Sequence, residues 1–178
     1  IQDSVARMSD LIQDVLDFAR GRLGGGIPVA LHAGDDLAGD LRQVLDEARL
    51  NHPQRLIEDV IEIERPIACD CRRVAQLLDN ILANALLHGD AAGPVRVRVR
   101  SDADGFVLSV RNQGQPIPEE KRVRLFQPFS RERGDEPGPG LGLGLYIAAE
   151  IAKAHAGSLT VESTDSDGTC FTFRMPAA

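Results

Sequence analysis

Three polar side chains fall at four-residue steps in Gln76-Leu-Leu-Asp-Asn80-Ile-Leu-Ala-Asn84-Ala-Leu-Leu-His88-Gly89. On a helix that spacing stacks Asn80, Asn84 and His88 along one face, a turn apart. The intervening leucines and Ile81 mark a core face beside them, and amides so placed cost free energy unless something hydrogen-bonds them. A bound polar ligand would do so. The densest glycine run, Gly138-Pro139-Gly140-Leu141-Gly142-Leu143-Gly144-Leu145-Tyr146-Ile147, opens directly onto a helical pattern. Free backbone amides at a helix N-terminus attract phosphate oxygens. Neither familiar phosphate loop fits, however. A Walker loop needs Gly-Lys-Ser/Thr, and neither Lys121 nor Lys153 follows a glycine. The dinucleotide fingerprint fails because Leu143 or Leu145 stands where its last glycine belongs.

The elements that position these residues are legible from periodicity. Val5, Met8, Ile12, Val15 and Ala19 step by three and four, widened by Leu11, Leu16 and Phe18, and Gly21 with Gly24-Gly25-Gly26 and Pro28 ends that helix. Its wide seam implies a partner, either a bundle formed with a second chain or its own domain. Residues 37–50 and 72–88 read as helices and 55–64 as a strand. Val95 to Arg100 alternates strictly and pairs with Phe106 to Val110 as a hairpin across the Asp102–Gly105 turn. Short helices are expected over Glu119–Phe126 and Leu143–His155, and a closing hairpin joins Ser158–Glu162 to Thr169–Met175 around Asp167-Gly168. Without regular βαβ alternation, this mixture predicts an α+β fold, with helices layered on one face of a largely antiparallel sheet.

Composition excludes several function classes. The 178 residues can form one well-buried domain with an appendage, and 43% hydrophobic with 26% charged residues is the balance of an ordinary globular protein. With 27 acidic against 20 basic residues the net charge is -7, and the basic residues do not cluster, so no nucleic-acid footprint is expected. No apolar run approaches the length of a membrane span, so the chain is expected to be soluble and free of membrane contact, whether or not a parent protein is anchored. The odd set Cys69, Cys71 and Cys170 fits inert thiols in a reducing cytoplasm. Zinc is disfavoured because Cys69-Asp70-Cys71 has the wrong spacing and no matching pair.

The order of four segments is informative where each alone is weak. The Asn80–Asn84–His88 helix, Arg111-Asn112-Gln113-Gly114-Gln115-Pro116-Ile117-Pro118, Leu125-Phe126-Gln127-Pro128-Phe129-Ser130-Arg131 and Gly140–Leu145 together resemble the N, G1, F and G2 boxes of the histidine-kinase ATPases. The resemblance runs from about Leu41 to Pro176, and Arg7–Arg20 is similar to the second helix of that family's dimerisation hairpin. It implies a Bergerat-type two-layer α/β sandwich with a mixed sheet, preceded by an amphipathic helix. The implied division is residues 1–23 as part of a dimerisation and phosphoacceptor hairpin, 24–36 as linker and 37–178 as ATP-binding catalytic domain. ATP and Mg²⁺ would lie under a mobile lid, and the γ-phosphoryl group would pass to a histidine outside this chain.

The same resemblance assigns roles. Asn84 matches the Mg²⁺ ligand, a neutral oxygen suited to a hard cation. Asn80 stands one turn earlier, where related hydrolases carry a water-activating glutamate, and an amide cannot act as that base. Asn112 would accept from the adenine amino group. As an uncharged acceptor it is expected to bind adenine less tightly than an aspartate would. Gly114, Ile117, Phe126, Arg131, Gly140, Leu141, Gly142, Leu143, Gly144, Leu145 and Thr169 complete the implied nucleotide contacts, with Thr169 beneath the adenine. Pro116 replaces a family glycine, and Leu87 replaces a basic residue that reaches phosphate, leaving His88, Arg131 and Arg133 as candidate cations. The implied partners are an acceptor-histidine hairpin of the same protein, a response-regulator receiver domain and a second protomer of the parent. Two rival readings stay open, a hydrolase or degenerate nucleotide binder and a serine kinase of the same fold. His32, His52, His88 and His155 each lack the acidic neighbour of an acceptor motif, so none is expected to receive the phosphate.

Overall fold

A computed structural model describes residues 2–33, 35–130 and 141–176. The elements are α1 (Gln2–Arg22), α2 (Leu37–Asn51), β1 (Ile57–Ile63), α3 (Cys71–His88), β2 (Val95–Asp102), β3 (Gly105–Asn112), α4 (Glu119–Arg122), α5 (Gly144–Ala154), β4 (Ser158–Thr164) and β5 (Gly168–Pro176). Local chemistry sets several boundaries. Asp36 starts α2 by accepting from the Gly39 amide at 2.9 Å, and Asp70 starts α3 by accepting from Arg73 N–H at 3.2 Å. Each satisfies one of the donors that a helix start leaves orphaned.

The five strands form one sheet in the order β1-β2-β3-β5-β4. Only the β1–β2 pair is parallel, so the sheet is mixed and largely antiparallel. Alternation in β2 turns Val95, Val97, Val99 and Ser101 into the core and leaves Arg96, Arg98 and Arg100 outside. The buried face meets α2, α3 and α5 through Leu41, Leu45, Leu77, Leu78, Ile81, Ile147 and Ile151, packed over Leu108, Val110, Phe171 and Phe173. Each such side chain contributes roughly 1.5–3 kcal/mol on full burial. The result is the expected α+β sandwich, with α3 lodged centrally between α2 and α5.

Two stretches depart from simple pattern reading. The helix expected over Glu119–Phe126 stops at Arg122, and the chain continues as single turns bonded three residues back, Leu125 N–H to Arg122 and Gln127 N–H to Arg124. Pro128, which has no amide hydrogen to donate, follows them. The stretch after α1 is fastened down: Ile27 is in the core, Ala30 N–H donates to Asp70, and His32 exchanges backbone hydrogen bonds with Cys69.

Candidate functional site

On α3 the polar face lies where its spacing puts it. Asn80 and Asn84 are half-buried and His88 is exposed. The side-chain nitrogen of Asn80 is buried and has no hydrogen-bond partner among the described residues. Beside it, the first residue of α5 comes so near that a Cβ on Gly144 would stand 3.1 Å from Asn80 Oδ1. Glycine at 144 therefore lets the start of α5 close onto α3. Leu143 is buried, Leu145 packs against the core and Leu141 is exposed, so alternate residues of the run anchor it. Gly142, with φ 72°, accepts from Phe129 N–H at 3.2 Å. Phe129 itself holds φ 57°, a left-handed conformation uncommon for an aromatic residue. Arg131, Arg133 and Gly140 lie outside the described residues.

A second group gathers at the end of the sheet. Asn112 and Thr169 face each other across the β3–β5 ladder, each only 5% exposed. Thr169 Oγ1 is 2.8 Å from Ser163 Oγ, which accepts from Ile117 N–H at 2.9 Å. Asn112, Thr169 and Ile117 are thus brought together, joined by a serine that strand alternation gave no reason to single out. Asn112 Nδ2 donates to the Gln113 carbonyl at 3.0 Å, and the same oxygen accepts from Asp90 N–H at 2.7 Å. Gly114 turns the chain beside them, and Gly168, with φ 70°, passes so close that a Cβ would lie 2.1 Å from the Asn112 carbonyl. An open cleft of 640 Å³ runs along this end, lined by His88, Gly89, Asp90, Gln113 to Pro116 and Asp165. That volume suits a small-molecule ligand. Asp90 and Asp165 are lining residues that no motif announced. Phe126 meets Phe171 edge-on at 6.3 Å and helps close the core.

The N-terminal helix touches these same elements. Asp17 is fully buried, with Oδ2 accepting from Arg73 at 2.7 Å and Gln76 at 3.1 Å on α3. Burial pushes its carboxyl up, but hydrogen bonds from Arg73, Gln76 and Gln13 outweigh that and hold it below the usual carboxylate range. Phe18 stands edge-on to Phe129 at 5.1 Å and to Tyr146 at 5.8 Å. Meanwhile Met8, Leu11, Ile12, Val15 and Leu16 are 38–61% exposed, so these seam residues do not pack on the domain. The side chain of Val5 lies outside the description.

Cys69, Cys71 and His155 are buried within the fold. Burial, with Cys71 3.7 Å away, pushes the Cys69 thiol up to about 12. His155 Nδ1 lies 2.8 Å from the Ile151 carbonyl, and its Nε2 accepts from Asp70 N–H at 3.1 Å. Among the described residues no three His, Cys, Asp or Glu side chains gather as a metal site, and no helix is long and apolar enough to cross a membrane.

With this geometry in place, relatives are readily found. Residues 69–178 match the model of the histidine kinase-, DNA gyrase B- and HSP90-like ATPases. The chain is 36% identical to the bacteriophytochrome of Pseudomonas aeruginosa over 179 residues, 99% of this chain and 24% of that protein. It is 31% identical to the sensor protein TorS of Escherichia coli K12, again over 99% of this chain but 19% of that protein. Among solved structures, full-length ShkA in complex with AMPPNP superposes with a TM-score of 0.77 at 29% identity, covering 99% of this chain and 37% of ShkA. The chain thus spans a quarter or less of the length of these two curated relatives. The match covers α3, the cleft, the glycine run and the closing hairpin, and the chain belongs to the histidine kinase-, DNA gyrase B- and HSP90-like ATPase family.

Proposed function

We propose that this chain is the ATP-binding catalytic part of a two-component sensor histidine kinase, working on the cytoplasmic side and passing the γ-phosphoryl group of ATP to a histidine outside residues 1–178. One observation supports it above all: Asn80, packed beside Gly144, has a buried side-chain nitrogen with no partner among the described residues. An orphaned buried amide costs about 1–3 kcal/mol, a cost that a phosphate oxygen would remove. Asn84, one turn on, would hold Mg²⁺ through its side-chain oxygen, and the ion would supply charge neutralisation of the phosphates when bound. The base lies at the other end, against Asn112, Gly114, Ile117 and Thr169. The acidic residues Asp90 and Asp165 line that end and disfavour placing phosphates there.

Transfer to a histidine fits better than hydrolysis because position 80 offers an amide and no base for water. The acceptor belongs elsewhere: His155 is buried with both ring nitrogens engaged, and no histidine here has an acidic neighbour. Residues 1–23 are read as the second helix of the dimerisation hairpin, 24–36 as its joint and 37–178 as the catalytic domain. The exposed seam of α1 supports a parent that dimerises, with the acceptor-histidine hairpin and a receiver domain as partners. Calorimetry with Mg²⁺–ATP tests the site: the chain binds, Asn84→Ala does not, and both melt alike. Equal affinity in the two would remove the assignment. Added in trans, a separate hairpin carrying the acceptor histidine gains acid-labile phosphate slowly, since the covalent link that raises effective concentration is missing. Acid-labile label on the chain alone would contradict the external acceptor.

A further inference from the structure

The polar face of α3 does not begin at Asn80. Seven residues make nearly two full helical turns, so Arg73 stands in line with Asn80 and Asn84, roughly 10 Å nearer the start of the helix. Its neighbour Arg72 is exposed and sits about 100° around the helix from that line. A guanidinium in line would attract phosphates held at Asn80 and Asn84, but this one is already engaged. Arg73 Nη1 donates to Asp17 Oδ2 and to Gln76 Oε1, each at 2.7 Å, and Asp17 Oδ2 also accepts from Gln76 Nε2 at 3.1 Å. The Asp17 side chain is 0% exposed and that of Arg73 16%, so little water screens either charge.

Asp17 belongs to α1, which is attached along one edge. Phe18 meets Phe129 and Tyr146, and Gly21 lies where a Cβ would be 2.7 Å from the Tyr146 hydroxyl, while Met8, Ile12 and Val15 face solvent. Arg20, 3.8 Å from Asp17, sits on α1 and moves with it. We infer that α1 masks the charge of Arg73, so that the position of this helix sets how tightly ATP binds. With α1 docked, Asp17 cancels the guanidinium and the phosphates gain little from it. With α1 lifted away, the carboxylate leaves too, and a bare cation remains on the nucleotide face, acting through space. By reciprocity, bound nucleotide favours the lifted helix. The inference rests on the phosphates of ATP lying at Asn80 and Asn84.

Calorimetry with Mg²⁺–ATP on the whole chain tests the mask. Asp17→Asn keeps the shape of the side chain and loses its charge, and it should bind roughly threefold to tenfold more tightly than the unaltered chain. The double variant, Asp17→Asn with Arg73→Gln, is uncharged at both positions and should return to the unaltered affinity. At roughly 1 M salt, where the screening length falls to about 3 Å, the gain should nearly vanish. Equal or weaker binding by Asp17→Asn overturns the inference, and so does a gain that persists in the double variant or in salt. Hydrogen exchange reads the same coupling on the unaltered chain: exchange in α1 should rise when Mg²⁺–ATP is added. Unchanged or slower exchange there overturns the mask while leaving the nucleotide site standing. Absence of Mg²⁺–ATP binding in all three chains would remove that site, and the inference with it.

Discussion

Helices α1 and α3 carry the same kind of amphipathic stripe and meet opposite fates. In α3 the apolar residues Val74, Leu77, Leu78, Ile81, Leu82, Ala85 and Leu86 are buried, and the nitrogen of the polar Asn80 has no partner among the described residues. In α1 Met8, Leu11, Ile12, Val15 and Leu16 stand in solvent while Phe18 packs against the domain, and among the described residues the best-buried side chain is the acid Asp17, tied to Arg73 and Gln76. Helical periodicity says that a face exists. It does not say what covers it. The difference teaches where each helix does its work: α3 is finished by its own domain apart from a ligand, and α1 is held by a polar latch and Phe18 while most of its apolar face remains free.

The largest expected contrast comes from truncating each stripe. Leu78→Ala, at a fully buried position, should cost about 2–5 kcal/mol in urea unfolding. Ile12→Ala should stay within about 0.5 kcal/mol, because that side chain is mostly exposed. A large loss at Ile12 in the isolated chain would break the contrast. Next is the latch. Arg73→Ala leaves Asp17 without its ion-pair partner on α3, and breaking a buried pair costs about 3–5 kcal/mol where the orphaned charge must stay buried. Here α1 can swing into water and avoid that cost. Hydrogen exchange should therefore rise across α1 while the melting of the sheet domain barely moves, and unchanged exchange in α1 would show that the ion pair does not hold it.

Asn80→Leu carries the comparison onto α3's polar face. Exchanging an orphaned amide for a side chain of similar shape should stabilise the nucleotide-free chain by about 1 kcal/mol while abolishing ATP binding. A loss of stability in calorimetric melts would mean that the amide is already satisfied. The smallest effect expected is from acid. Because the Asp17 carboxyl is held below its ordinary value near 3.8, its contribution to docking is present above that value and is lost as pH falls through the lower folded one. Exchange protection of α1 should hold at neutral pH and fade below about pH 4. Release near neutrality would point to another group.

The sequence by itself determined what depends on near neighbours along the chain. Strict alternation from Val95 to Arg100 specified a strand and its buried face, and Gly168 specified the turn. The order of the asparagine helix, Asn112–Pro118, Phe126–Phe129 and the glycine run was enough to indicate a nucleotide site, since each residue type suits one local role. Only the tertiary structure decided which groups meet across long stretches of chain. Residues 144 and 80 are far apart in sequence, so no spacing rule could say that Gly144 closes on Asn80, whose nitrogen is buried without a partner among the described residues. Asp17 looks like one more solvated acid on a helix until Arg73 is placed beside it. Asn112 looks like a weakened aspartate until the Gln113 carbonyl, held also by Asp90 from beyond the end of α3, is seen against its nitrogen. Hydrogen bonds act over about 3 Å, and sequence separation does not encode such distances.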